Sequence, residues 1–270
     1  MSRRTLLATC LAPAAALFAA FWLLPMVRLV LLPASKGWET YFAVLSDPRY
    51  FESLMNTVVL SVIVTLATLV IGAAVGLFLA RTPFRGRGLL LSLLSLPLAF
   101  PGVIVGFFVI LLGGRQGLVA QVAEFLGGGP VTFAYGLLGL FLAYLYFSLP
   151  RAIATYTASA ESMDLQLEEA ARSLGASRWR IALDVWVPSL APTTVACGAI
   201  VFATAMGAFG TAFTLASKFE VLPITIYDEF TNYANFALAA SLSIALGLMT
   251  WLVLYLARRF SGVAPAGGLI

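Results

Sequence analysis

Six long stretches without a charged side chain constrain this sequence more than any other feature. They run over residues 5–27, 53–80, 88–114, 125–150, 185–217 and 230–257, and none contains Asp, Glu, Lys or Arg. A helix needs about 20 residues to cross the roughly 30 Å hydrocarbon core of a bilayer, and each stretch is long enough. With 61% hydrophobic and 10% charged residues, the chain also lies outside the range of soluble domains. The sequence therefore predicts an all-α integral membrane protein with six transmembrane helices.

The six spans belong to a single predicted transmembrane domain that covers residues 1–270. We place them at residues 5–32, 53–80, 88–112, 131–158, 189–216 and 235–258, with a cytoplasmic loop at 161–188. The first span follows the sequence MSRR, as a signal peptide would, but its apolar run is longer than the about 7 to 15 residues typical of such peptides. We interpret it as a retained span, with cleavage as the alternative.

Basic residues are distributed unevenly between the two sets of connections. One set holds eleven of the sixteen Lys and Arg residues: Arg3, Arg4, Arg81, Arg85, Arg87, Arg151, Arg172, Arg178, Arg180, Arg258 and Arg259. The other set holds the remaining five: Arg28, Lys36, Arg49, Arg115 and Lys218. Because cytoplasmic loops carry an excess of positive charge, both termini are expected in the cytoplasm. The asymmetry also accounts for the net charge of +4. The net charge therefore gives no reason to expect a nucleic-acid partner.

Several classes of chemistry lack the residues that they would need. The sequence has no His, and Cys10 and Cys197 lie in separate spans without metal-ligand spacing, so neither a catalytic nor a metal site is indicated. No GxxxxGK[ST] phosphate loop is present, so no ATP site is indicated. A proton-coupled transporter or a membrane-embedded enzyme would be expected to place titratable groups within its spans, and the six uncharged stretches have none. A stand-alone channel or secondary transporter is the alternative class.

The segment between the fourth and fifth spans is dense with charge. Ser162 is predicted to cap a helix that has Asp164 in its first turn, and Glu168 and Arg172 form an i,i+4 pair. The apolar positions of this helix lie on one stripe: Met163, Leu167, Ala170, Ala171 and Leu174. Gly175 is predicted to end the helix in the left-handed conformation.

A second short helix is expected after this turn. Ser177 can cap it, and Pro188 marks the start of the fifth span. Two helices joined by a sharp turn would then protrude from the membrane with an apolar stripe that no soluble domain of this chain covers. Burial in the lipid headgroups and folding back on the short loops are the alternatives, but anionic lipid would repel the acidic half of the segment. The stripe therefore predicts docking to another protein.

The sequence EAARSLGASRWRIALDVWVP, residues 169–188, resembles the EAA loop of the permease subunits of binding-protein-dependent ABC importers. In that family the pattern is Glu-Ala-Ala, three residues, Gly, nine residues, an aliphatic residue, one more residue and Leu-Pro. Four residues match its first half: Glu169, Ala170, Ala171 and Gly175. Val185 and Val187 replace Ile and Leu before Pro188. The wider resemblance runs over residues 53–259 and implies the six-helix fold of a type I ABC importer permease.

The resemblance implies a non-catalytic transport subunit of a bacterial cytoplasmic (inner) membrane. It would form half of the solute pathway, bind no cofactor, and couple to a dimer of cytoplasmic ABC ATPases that hold ATP and Mg²⁺. Its other expected partners are membrane lipid, an extracytoplasmic solute-binding protein and a second permease subunit, which the resemblance favours as a different chain. The residues implied in ATPase docking are Glu168, Glu169, Ala170, Ala171, Leu174, Gly175, Ala176, Arg178 and Pro188.

Two further resemblances indicate which solute to expect. Residues 96–114 and 206–217 look like the permease subgroup for polyamines, whose relatives serve sulfate, molybdate, ferric ion and phosphonate. A polyamine or a similar small organic cation is the first expectation, and the solutes of those relatives are the alternatives. Glu220, Asp228 and Glu229 outnumber Lys218 in the outer loop after the fifth span, which would favour a cation, although ordinary solvated loop charge explains the same residues.

Candidate pathway residues lie near the middle of the spans. They are Phe100, Pro101, Tyr144, Thr204, Gly207, Phe209 and Thr211, and packing is the alternative role for each. Aromatic faces suit ammonium groups. Pro97 and Pro101 interrupt the third span, and such breaks are tolerated where protein or water satisfies the freed carbonyls. Pairs of small residues at four-residue spacing, among them Gly72 with Gly76, predict close packing between helices.

Overall fold

The computed structural model describes residues 3–129, 131–216 and 219–260. Over these ranges the regular structure is entirely helical. Six segments are long and apolar enough to cross a membrane: Leu11–Lys36, Pro48–Arg81, Gly102–Phe125, Leu137–Glu161, Arg178–Met206 and Phe236–Arg259. The chain is therefore an all-α, multi-pass membrane protein, as the uncharged stretches predict.

The α-helices of the described ranges are numbered in chain order. They are α1 (Arg3–Phe18), α2 (Leu24–Leu31), α3 (Ala43–Ser46), α4 (Pro48–Arg81), α5 (Arg87–Ser95), α6 (Gly102–Gly113), α7 (Leu118–Phe125), α8 (Leu137–Glu161), α9 (Leu165–Ser173), α10 (Arg178–Ile181), α11 (Val187–Met206), α12 (Phe209–Leu215), α13 (Leu222–Tyr227) and α14 (Phe236–Phe260). Short π-helical segments join α1 to α2 (Ala19–Leu23) and α10 to α11 (Ala182–Trp186).

The long helix α4 packs closely along α8. Its start is fixed by Asp47, whose carboxylate accepts a hydrogen bond from the Arg49 amide at 2.9 Å. Its small residues allow the close approach, because a Cβ added at Gly72 would lie 2.9 Å from the Cβ of Ala152. A Cβ at Gly76 would lie 2.6 Å from the Cβ of Tyr156. The prediction that this pair of glycines serves helix packing is confirmed.

The predicted third span, residues 88–112, is broken at its prolines, as the sequence predicts. Helix α5 ends at Ser95, a 3₁₀ turn follows over Leu96–Ala99, and α6 begins only at Gly102. Proline removes a backbone donor and strains the preceding turn, so a continuous helix through this segment is disfavoured. The two pieces run antiparallel to α8, because Arg87 at the start of α5 contacts Glu161 while the Phe133 amide binds the Gly113 carbonyl at 2.9 Å.

The main hydrophobic core lies between the central helices. Its buried members come from α4, α6, α8, α11 and α12 and include Leu60, Val64, Val105, Val109, Leu140, Tyr144, Ala205, Ala212 and Leu215. The apolar part of Leu11–Lys36, in contrast, is not buried by the rest of the described chain. Arg81 forms an ion pair with Glu168, and Arg87 forms one with Glu161. These contacts place the C-terminal ends of α4 and α8, together with α9, at one end of the bundle. We call this end the loop face.

Candidate coupling loop and translocation surface

Helix α9 is capped by Asp164 and not by Ser162. The Asp164 carboxylate accepts a hydrogen bond from the Gln166 amide at 2.9 Å, whereas the Ser162 hydroxyl donates to the Ser159 carbonyl at 2.8 Å. The predicted cap is wrong because α8 continues through Glu161 and leaves Ser162 in its last turn. The start of α9 is thus displaced by two residues, and Asp164 complements the positive end of its dipole.

The turn after α9 has the geometry that the sequence predicts. Gly175 adopts a left-handed conformation with φ of +79°. Its amide binds the Arg172 carbonyl at 2.9 Å, and the Ala176 amide binds the Ala171 carbonyl at 3.0 Å. These two bonds satisfy carbonyls that the helix end would otherwise leave without partners. Ser177 then caps α10 by accepting a hydrogen bond from the Arg180 amide at 3.4 Å, which confirms the second predicted cap.

The second helix of the loop does not stop before the membrane. Residues Arg178–Met206 form one helical segment, in which the π-helical turn Ala182–Trp186 precedes Pro188. The expectation of a separate short helix is wrong. Proline provides no backbone donor, and the wider π turn, with the Val187 amide bound to the Ala182 carbonyl, carries the helix past this position. Helix α10 is therefore continuous with α11.

Apolar side chains of the loop are not covered by the described part of the chain. Leu174 is 88% exposed and Trp179 is 74% exposed, and Leu167 is also exposed. Ala170, Glu169 and Arg178 share this open surface, whereas Ala171 and Ala176 are half-buried. Met163, predicted on the same stripe, instead packs against the buried cluster around Tyr156.

Glu168 faces into the protein. It is 4% exposed, and its carboxylate lies 2.5 Å from the Arg81 guanidinium and 3.7 Å from that of Arg172. The expected i,i+4 pair is therefore present, and the burial of Glu168 gives no support to the docking role expected of it. Its ion pair with Arg81 holds α9 against the end of α4.

Two of the candidate pathway residues are internal. Tyr144 is buried and its hydroxyl donates to the Ala208 carbonyl at 2.8 Å. Thr211 is buried and its hydroxyl donates to the Gly102 carbonyl at 3.2 Å. Phe100 is half-buried and packs edge-on against Phe108 with ring centroids 5.3 Å apart. For Tyr144 and Thr211 this arrangement supports the alternative role of packing, because their hydroxyls are bonded to carbonyls inside the chain.

The other candidates reach the surface of the bundle. Pro101, Gly207 and Phe209 are exposed, and Thr204 is half-buried. Gly207 and Phe209 also line an apolar cavity of about 500 Å³ together with Tyr227, Phe230 and Phe236. These residues remain candidates for a surface that a second subunit or a solute would contact.

Sequence analysis treated Arg151 in two ways. The count of basic residues assigned it to a connection because the uncharged stretch ends at Pro150, whereas the span placed at residues 131–158 includes it. Helix α8 runs through both residues to Glu161, because membrane helices tolerate an internal proline, so Arg151 lies within the helix. The exposed Arg151 side chain places its Nη1 atom 3.5 Å from the Thr204 hydroxyl of α11.

The acidic residues opposite the loop face are engaged within the chain. Glu220 pairs with Arg49 at 3.3 Å. Glu229 is 4% exposed and accepts hydrogen bonds from the Tyr50 hydroxyl at 2.9 Å and the Asn235 amide at 3.2 Å. Lys218 lies outside the described residues. The local negative charge therefore serves loop packing, which weakens the argument for a cationic solute.

Comparison with known proteins identifies the family. The family described as "Binding-protein-dependent transport system inner membrane component" matches residues 72–262, which is more than half of the chain. The chain belongs to this family. It is thus the membrane-spanning permease subunit of an ABC importer, and the α9–α10 segment lies inside the matched region.

Two relatives of this permease are named by their solutes. The chain is 32% identical over 218 residues to "Molybdenum transport system permease protein ModB" of Escherichia coli (strain K12), covering 78% of this chain and 93% of that protein. It is 30% identical over 245 residues to "Sulfate transport system permease protein CysT" of the same organism, covering 88% and 87%. These names give no support to the expectation of a polyamine.

Solved structures of ABC transporters share the fold. A chain of the "bacterial alginate ABC transporter in complex with alginate pentasaccharide-bound periplasmic protein" matches with a TM-score of 0.82 and 20% identity, covering 96% of this permease and 95% of that chain. A chain of the "MetNI methionine ABC transporter" in inward-facing conformations matches with a TM-score of 0.60 and 16% identity, covering 80% and 97%. At these identities the likeness shows the fold alone.

Proposed function

We propose that this permease serves the import of a small tetrahedral oxyanion, molybdate or sulfate. The observation that carries the proposal is the similarity to ModB, at 32% identity over 93% of that protein, together with the similarity to CysT. The placement of the outer carboxylates agrees with it, since the charge of the exposed Glu220 is paired with Arg49 and Glu229 is buried against Tyr50. The permease itself carries out no chemistry on the solute.

The energy source in this proposal is a separate dimer of ABC ATPases. The exposed surface around Leu174 and Gly175 offers apolar side chains to a groove, and Glu169 and Arg178 offer charges that fix the register. ATP binding would draw the two ATPases together and carry this loop with the corresponding loop of a second permease subunit. A solute-binding protein on the opposite side would deliver the oxyanion.

Three connections would transmit the loop movement to the membrane helices. Helix α10 continues into α11, α8 leads directly into α9, and the Arg81–Glu168 ion pair joins α9 to α4. Helices α4, α8 and α11 also pack against one another, so they would move as one body. If the second permease moved in the same way, the solute pathway between the two subunits would open first to one side of the membrane and then to the other.

Uptake by proteoliposomes tests the proposal. The vesicles contain the complete complex with its ATPases, second permease and solute-binding protein, and radiolabelled molybdate, sulfate or spermidine is supplied opposite the loop face. We expect ATP-dependent uptake of molybdate or sulfate, and no uptake of spermidine above that of vesicles without ATP. Uptake of spermidine alone would contradict the proposed solute. Full uptake by the permease without any ATPase would instead support a stand-alone transporter.

A further inference from the structure

Arg151 places a positive charge in the middle of a membrane-crossing helix. It lies 14 residues after Leu137 and ten before Glu161, the two ends of α8. At 1.5 Å per residue, about 15 Å of helix separates it from the loop face. The Cα–Cβ bond of a helical residue tilts toward the helix N-terminus, so the side chain points still deeper into the membrane, toward Thr204.

The guanidinium group has little to bind within the described part of the chain. Its Nη1 atom lies 3.5 Å from the Thr204 hydroxyl, at the outer limit of a hydrogen bond. That hydroxyl donates its own hydrogen to the Ile200 carbonyl at 2.7 Å, which orients its oxygen as an acceptor. Within residues 3–129, 131–216 and 219–260, no carboxylate oxygen lies within 4.0 Å of Arg151. Because an arginine has five N–H donors, most of them are free to bind another group.

The surface around Arg151 is unlike a lipid-facing surface. Toward the loop face, the accessible residues nearest to Arg151 on the same side of α8 are small or polar, namely Ala154, Thr155 and Ala158, whereas the half-buried Phe147 on the preceding turn packs against the main core. On α4, in contrast, the exposed residues Leu66 and Val70 are large and apolar, as lipid contact requires. An arginine in hydrocarbon is costly, so those within spans almost always face the bundle interior or a water-filled cavity. This face of α8 is therefore directed toward the pathway rather than the lipid.

We propose that Arg151 binds the oxyanion directly as it passes through the membrane, with Thr204 positioning the guanidinium. The inference deepens the proposed function and depends on it. The planar guanidinium offers paired N–H groups that match two oxygens of a tetrahedral oxyanion. The same charge would repel a polyamine. A single arginine of this permease, in place of a closed cage of donors, also suits a site that the solute must enter and leave quickly.

Charge removal at Arg151 provides the first test. In proteoliposomes with the complete complex, we expect Arg151→Gln to lower the uptake of molybdate or sulfate about tenfold, the loss typical of one charged hydrogen-bonded contact. Arg151→Lys keeps the charge and should retain more of the uptake than Arg151→Gln. The matched control is Arg28→Gln, which removes an exposed arginine from the crossing Leu11–Lys36 and should leave uptake unchanged.

Chemical labelling of the unaltered complex gives a second test that does not depend on assembly of a variant. Phenylglyoxal modifies accessible arginines, and mass spectrometry reports the labelling of each one separately. We expect molybdate or sulfate at millimolar concentration to slow the labelling of Arg151 severalfold while that of Arg28 is unaffected. Equal labelling of Arg151 with and without the oxyanion would overturn the inference.

The outcomes separate this inference from the proposed function. Uptake of neither molybdate nor sulfate by the unaltered complex would contradict the proposed function, whatever Arg151 does. Oxyanion uptake that is the same in Arg151→Gln as in the unaltered permease would leave the proposed function intact and overturn the Arg151 site. Loss of uptake in Arg151→Gln, with assembly and basal ATPase activity retained, would support the site.

Discussion

Glu168 and Glu169 are neighbours in sequence, but their carboxylates have opposite environments. Glu169 is exposed on the loop, whereas Glu168 is buried against Arg81. Sequence analysis placed both on the docking surface because the local pattern carries no information about the end of α4. Helical spacing predicted the Glu168–Arg172 pair, but only the tertiary structure shows the shorter contact with Arg81.

At the residue scale we first predict that Glu168→Gln destabilises the loop. The substitution leaves the largely buried Arg81 without its counter-charge, which costs about 1.5–3 kcal/mol. The melting temperature of the detergent-purified complex should fall, whereas the exposed Glu169→Gln control should melt like the unaltered protein. Combining Arg81→Gln with Glu168→Gln should recover part of the loss, because no charge is then buried without a partner. A melting temperature of Glu168→Gln equal to that of Glu169→Gln would refute this role.

The second residue-scale prediction concerns Gly175. Its φ of +79° is unfavourable for a β-branched residue, so Gly175→Val should distort the turn even though no neighbouring atom would contact the added Cβ. We expect ATP-dependent uptake to fall at least about tenfold and co-purification of the ATPase to weaken. Gly88→Val is the matched control, since Gly88 is equally open and has no positive φ. Normal uptake and normal ATPase binding in Gly175→Val would show that the turn does not couple the two subunits.

At the scale of elements, the sequence predicts the presence of a helix more readily than the residues at which the helix begins and ends. Uncharged stretches long enough to span a bilayer located the crossings, and the Pro97–Pro101 break was expected from the missing backbone donors. Pro150 ends an uncharged stretch and Pro188 was expected to mark the start of a span, but α8 continues through the first and a π turn carries the helix past the second. Whether a proline ends a membrane helix depends on packing against neighbouring helices, which a single sequence does not contain.

A prediction at this scale is that Gly76→Ala separates α4 from α8. The added Cβ would lie 2.6 Å from the Cβ of Tyr156 and 3.0 Å from the Thr157 amide nitrogen, so a helix must shift. Overpacking of this kind costs about 1–3 kcal/mol. Gly247→Ala in α14 is the control, because nothing lies within 4 Å of its added Cβ. A lower melting temperature is expected only for Gly76→Ala, and equal melting of the two variants would contradict the packing account.

At the scale of the whole molecule, composition alone predicted a membrane protein, and the EAA pattern predicted the importer family that the comparison shows. The solute was not predictable in the same way. The acidic residues of the outer loop suggested a cation, but Glu220 pairs with Arg49 and Glu229 binds Tyr50 and Asn235, and both Arg49 and Tyr50 are distant in sequence. The exposed leucine and tryptophan of the loop form an apolar surface that the described part of the chain does not cover.

Cross-linking at the loop tests the central claim most directly. Leu174→Cys places a thiol at the most exposed part of the loop, and Val70→Cys places one at a similarly exposed site on α4. In a reconstituted complex that transports solute, a short thiol-reactive cross-linker should join the ATPase to the permease carrying Leu174→Cys and not to the one carrying Val70→Cys. Absence of the Leu174→Cys product in a fully active complex, with the ATPase retained, would contradict the account.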